Sequence, residues 1–163
     1  MGDLHAGVGG HAPKIFEASI AEWKEDLVKE AHGGPTLRVV LMGDESDSIS
    51  TSERSGLVAA KLHGQTINKM DKIMLEEAKS LMNKVRFLGE HLVGMIQGQH
   101  HWVFSSDIPE EGVTRGMTST EWICRQLGCH WPGFLTYIRL NCLNASQGAR
   151  FPLDIVACHG KAS

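Results

Sequence analysis

Twice in this chain a short apolar run breaks off into a glycine followed by side chains able to bind a metal ion. Thr36 to Met42 (TLRVVLM) stops at Gly43-Asp44, and His91 to Gln97 (HLVGMIQ) stops at Gly98-Gln99-His100-His101. Each run is too short for a stable helix, and the first is rich in β-branched residues, so both are expected to be buried strands. Between them, from about Gln65 to Glu90, Ile67, Met70, Ile73, Met74, Leu81, Met82, Val85 and Leu88 recur at helical spacing. Strands that alternate with helices restrict the fold to a layered α/β arrangement, whose ligands gather in the crevice beyond the carboxyl ends of the strands.

The flanking segments fit that frame. Ile15, Phe16, Ile20, Trp23, Leu27 and Val28 predict a helix over 13–31, with Pro13 suited to its first turn and Gly33-Gly34 past its end. The Ser- and Asp-rich stretch Glu45 to Arg54 reads as a loop, as do residues 105–117. A short helix is expected over Ser119 to Leu127, a long strand over Phe134 to Leu143, and a last strand over Leu153 to Cys158, ending at His159. At 163 residues and 42% hydrophobic, the chain fits one domain that buries roughly two-thirds of its unfolded surface.

Charge and cysteine usage narrow the function. A net charge of −3 provides no global attraction for nucleic acid or acidic membrane, and lysines 61, 69, 72, 79 and 84 are interleaved with acids as on a solvated helix face. No apolar run reaches the length of a membrane span and no secretory signal is seen, so a soluble, cytoplasmic protein is expected. Cys124, Cys129, Cys142 and Cys158 lack the paired spacing of a structural zinc site and read as free, part-buried thiols. Asn144-Ala-Ser146 matches the glycosylation sequon as a coincidence, and Gly7 to Gly10 lacks the pattern of a phosphate-binding loop. His11, His32, His63, His91 and His130 have no partner pattern, and Trp102 and Trp131 are expected in core or rim packing.

The polar turns carry the chemistry. Asp3 and His5 lie two apart, so on an extended segment they share one face and can grip one cation. Asp44, arriving from a neighbouring strand, has two carboxylate oxygens and can bridge two ions. Gln99 offers an amide oxygen and His159 an imidazole, both suited to Mn, Fe or Zn. Two such ions about 3.5–4 Å apart can clamp a phosphate ester and sharpen a water into hydroxide near neutral pH. His100 would face the substrate and give a proton to the leaving alkoxide.

In order and setting, these residues resemble the calcineurin-like metallophosphoesterases. Asp3-Leu-His5 looks like the family's D-x-H, Gly43-Asp44-Glu-Ser-Asp47 like its G-D-x-x-D, Gly98-Gln99-His100-His101 like its G-N-H-D/E, and His159 in Cys158-His159-Gly160 like its isolated histidine. The resemblance implies a layered α/β sandwich holding two divalent metals. Asp3 and His5 would hold the first, Asp44 would bridge, Gln99 and His159 would hold the second, and His100 would contact phosphate. A phosphomonoester or phosphodiester is the implied substrate.

Departures from the pattern sharpen these expectations. Gln99 stands where the family has Asn, and its extra methylene moves the amide oxygen by roughly an ångström, about twice what a preorganised site tolerates, so a weaker second metal is expected. His101 replaces the acidic residue and brings no fixed negative charge. No strand precedes Asp3-Leu-His5 and no G-H-x-H follows His159, so the sequence reads as the central part of a single domain over 1–163. Open sheet edges in such a domain favour a homo-oligomer. Two further readings fit the same residues: a noncatalytic remnant acting as a binding or assembly module, and a nuclease of the same family, which the missing basic stripe disfavours.

Overall fold

A computed structural model describes residues 13–44, 56, 63–144 and 147–159. They form a mixed α/β structure in the order α1 (Pro13–Ala31), β1 (Val39–Leu41), α2 (Gly64–Val85), β2 (Leu92–Met95), α3 (Ser119–Leu127), β3 (Leu135–Asn144) and β4 (Ala149–Cys158). Strands β1 and β2 pair in parallel, with Val40 beside Gly94 and Leu41 beside Met95. A parallel pair needs a long crossover, and α2 lies on it. Both polar turns therefore emerge at the same end of the same sheet.

The second sheet is an antiparallel ribbon of β3 and β4, in register from Leu135↔Cys158 to Asn144↔Ala149. The segment between α3 and the ribbon continues the first sheet on its other flank. His130 N–H donates to Val93 O, Met95 N–H to His130 O, and Gln97 N–H to Gly133 O, at 3.1, 3.1 and 2.8 Å. This close approach explains Gly94, where a Cβ would come within 2.6 Å of His130 O.

Helix α2 buries Met74, Leu75, Ala78, Leu81, Met82 and Val85, a stripe at helical spacing, so its methionines pack as core. The helix gives way to a 3-10 segment, Arg86–His91, sooner than the apolar stripe suggests, and Gly89 there adopts φ 51 and ψ −126. The first strand is shorter than the apolar run. Leu37 N–H donates to the Glu30 carboxylate at 2.9 Å, which removes that residue from any ladder. Strand β4 is longer than expected because Pro152 sits inside it opposite Asn141, a position open to proline on an edge strand. Around the ribbon Phe134, Leu135, Tyr137, Leu143 and Val156 are exposed. Among the described residues no helix is long and apolar enough to cross a membrane.

A buried carboxylate fastens the segment after the second turn. Asp71 of α2 is fully buried. It accepts hydrogen bonds from Trp102 Nε1 at 2.7 Å, from the backbone N–H groups of Ser105 and Ser106, and from Ser106 Oγ at 2.6 Å. Trp102 is core, as expected, and Lys79 adds an ion pair to Glu111 at 2.6 Å. Asp71→Ala would strand these donors without an acceptor and is expected to cost about 3 kcal/mol, since leaving a buried donor unpaired costs its desolvation. Urea unfolding measures this, and an unchanged midpoint would refute the clamp.

Candidate metal centre

The turn after β1 has an unusual backbone. Gly43 takes φ 94 and Asp44 takes φ 52, two successive residues in the left-handed region. Asp tolerates that region better than most residues, but a non-glycine there is strained and needs its surroundings to hold it. Here they do. Asp44 Oδ1 accepts the backbone N–H of His100 at 2.9 Å, and Asp44 is only 4% exposed.

Three segments meet at this point with no space for side chains between them. A Cβ on Gly43 would sit 2.8 Å from Gly98 Cα and from His159 Nδ1. A Cβ on Gly98 would overlap Asp44 Oδ1 and the Asp44 backbone nitrogen. The glycines of the two turns are thus what lets Asp44 and His100 come together across 56 residues of sequence.

His159 completes the contact from the end of β4. Its backbone N–H donates to Phe134 O at 3.2 Å, which ties it to the base of the ribbon. Its Nδ1 lies 3.0 Å from Met42 O, and only an N–H can face a carbonyl, so Nδ1 carries the proton. In the neutral ring Nε2 then holds a lone pair, and it lies 3.0 Å from Asp44 Oδ2. That oxygen is buried and accepts no hydrogen bond. Two lone-pair atoms at this separation repel unless a positive charge lies beside both. Ligand bonds of about 2.0–2.2 Å meeting near a right angle give a ligand–ligand edge of about 3 Å. Asp44 Oδ2 and His159 Nε2 therefore suit adjacent positions on one divalent ion. A doubly protonated imidazole is the other way to supply that charge.

A narrow cleft adjoins Asp44, lined in part by Gly98, His100, His101, Ser119 and Thr120. Of the residues expected from sequence, Asp44, His100 and His159 are thus brought together. Gln99 is half-buried in the same turn, between Gly98 and His100. Asp3, His5, Asp47 and His11 lie outside the described residues. Among the described residues no group of three or more His, Cys, Asp or Glu side chains is placed to hold an ion.

His101 is supported by two side chains, Gln97 and Thr118, whose part in this no sequence motif marks. His101 Nδ1–H donates to Gly98 O at 2.6 Å, and its Nε2 accepts from Gln97 Nε2 at 3.2 Å. The buried Gln97 in turn accepts from Thr118 Oγ1 at 2.9 Å, and the same oxygen caps α3 by accepting from Glu121 N–H. His101 thus fixes the carbonyl of the glycine that touches Asp44, a role that needs hydrogen bonding rather than negative charge. The T-x-x-E pattern from Thr118 to Glu121 marks the cap, but nothing local announces its second bond to Gln97.

Gly98→Ala tests the close approach. Overpacking typically costs about 1–3 kcal/mol, and the alanine should lower the thermal midpoint accordingly. Gly116 lies at φ 87 with open space where a Cβ would go, so Gly116→Ala reports backbone strain without a steric contact and should be the milder change. Gly98 is not at positive φ, so an unchanged midpoint in Gly98→Ala would refute the steric requirement. Compared with protein-family models, curated proteins and solved structures, the chain gives no match.

Proposed function

We propose that this protein is a metal-dependent phosphoesterase of the calcineurin-like type, with a layered α/β sandwich as its full architecture and a phosphomonoester or phosphodiester as substrate. The observation that carries the reading is the Asp44–His159 pair: a buried carboxylate oxygen and an imidazole nitrogen 3.0 Å apart, with the other ring nitrogen 3.0 Å from Met42 O. His100 stands beside them on the turn that grips Asp44.

The residues divide the work by chemistry. Asp3 and His5 would hold one divalent ion, Gln99 and His159 a second, and Asp44 would bridge the two. Mn, Fe or Zn suits this mixture of carboxylate, imidazole and amide oxygen. Bound ions supply Lewis acidity to the phosphoryl oxygens and to the attacking water. His100 passes a proton to the leaving alkoxide. The Met42 carbonyl fixes the tautomer of His159, so that Nε2 is the nitrogen that presents its lone pair.

The expected result is manganese-dependent hydrolysis of bis(p-nitrophenyl) phosphate or p-nitrophenyl phosphate, lost in Asp44→Ala. His159→Ala should raise the manganese concentration needed for half-maximal rate by at least about tenfold, the scale typical of perturbed metal sites. Absence of turnover with manganese, iron and zinc would overturn the enzymatic reading, and turnover that survives Asp44→Ala would overturn the assignment of the site.

A further inference from the structure

Helix α3 ends in a turn that folds the backbone of Cys129 onto the last helical turn, at Cys124. Gly128 follows the helix at φ 69, and the backbone N–H of Cys129 donates to Cys124 O at 3.1 Å. This bond, from the second residue past the helix to a carbonyl in its last turn, defines the Schellman motif. In that motif the side chains at those two positions pack against each other, ordinarily as a hydrophobic contact. Here both are cysteines. Cys124 is buried and Cys129 is partly exposed. The neighbouring Cys124 thiol, which also lies 3.7 Å from His130 O, holds the Cys129 thiol below its usual pKa, against the opposing effect of burial.

We propose that Cys129 and Cys124 form a peroxide-sensitive dithiol, with Cys129 as the attacking thiol and Cys124 as its resolving partner. The Cys129 thiolate attacks one oxygen of hydrogen peroxide. An S–O bond forms, the O–O bond breaks, and the departing hydroxide takes a proton to become water, leaving a sulfenic acid. The Cys124 sulfur then attacks the Cys129 sulfur. The S–S bond forms as the S–O bond breaks, and hydroxide leaves with the Cys124 proton as a second water. Two electrons pass from the two thiols to one peroxide. Cys124 needs no access to solvent for this, because its target is the neighbouring sulfur. Partial exposure is required only of Cys129, and a lower thiol pKa raises the thiolate fraction there.

The location gives the disulfide a structural consequence. Cys129 leads directly into His130, which hydrogen-bonds to both Val93 and Met95 of β2. At its other end α3 begins with Ser119 and Thr120, which line the cleft beside Asp44. Oxidation would join the end of α3 covalently to the segment that flanks the sheet.

Peptide mapping tests this on the full chain. Cleavage after Arg115, Arg125 and Arg139 separates Cys124 from Cys129, so the disulfide joins the peptides Gly116–Arg125 and Gln126–Arg139. After brief treatment with a small excess of hydrogen peroxide and alkylation of remaining thiols, that linked pair is expected as the main oxidation product, with a mass about 2 Da below the two reduced peptides. A thiol reductant should reverse it. In Cys124→Ser, dimedone should label Cys129 ahead of Cys142 and Cys158. The proposal is overturned if the exposed Cys158 is oxidised while both Cys124 and Cys129 remain alkylatable. Finding the linked pair in the wild-type chain supports it even if the serine variant does not fold.

Discussion

The structure depends on one steric fact: the Gly98 backbone lies against Asp44 where no side chain could fit. Parallel pairing of β1 with β2 delivers both turns to the same end of a sheet, and the missing Cβ at Gly98 lets them close. Asp44 then accepts the His100 N–H, a charge-assisted bond of the kind that contributes about 1.5–3 kcal/mol. A non-glycine residue at positive φ costs about 1–3 kcal/mol. The two are of similar size, so the strained backbone of Asp44 persists because its carboxylate is gripped.

Around this contact the polar groups are arranged so that each constrains the next. Thr118 caps α3 and holds Gln97; Gln97 orients His101; His101 holds the carbonyl of Gly98. A satisfied network of this sort rigidifies a buried turn, since moving one member leaves another unpaired. Asp71 performs the same service one step outward. Its carboxylate gathers Trp102, Ser105 and Ser106 against α2, so the chain leaving the second turn cannot drift from the helix that covers the sheet.

What the sequence disclosed follows the range of the forces involved. Helices α1 and α3 and the core stripe of α2 were legible because periodic burial is written locally, in Phe16 and Trp23 or in Met74, Met82 and Val85, although Ile15, Val28 and Ile73, expected in the same stripes, are exposed and Leu75, which is buried, stood outside them. The polar turns were legible because Gly-Asp and Gly-Gln-His-His follow apolar runs. Strand ends were not, because Leu37 leaves its ladder for Glu30, a side chain on another element. Asp71 was read past entirely. Its spacing places it on the buried stripe, yet only the tertiary arrangement of Trp102, Ser105 and Ser106 supplies the donors that permit a carboxylate there. Gln97 and Thr118 escaped for the same reason, as did the tautomer of His159, which depends on a carbonyl 117 residues away.

The packing of Gly43 and Gly98 also separates what can vary from what cannot. Any carbon beyond Cα at either position collides with the opposing segment, so how closely the two turns approach is set by their backbones. Side chains that join the ensemble from outside that contact, such as Gln99 and His100, are under no such restriction. Exchanging those side chains would therefore leave the spacing of the two turns unchanged, much as a fitting can be changed without recutting its socket.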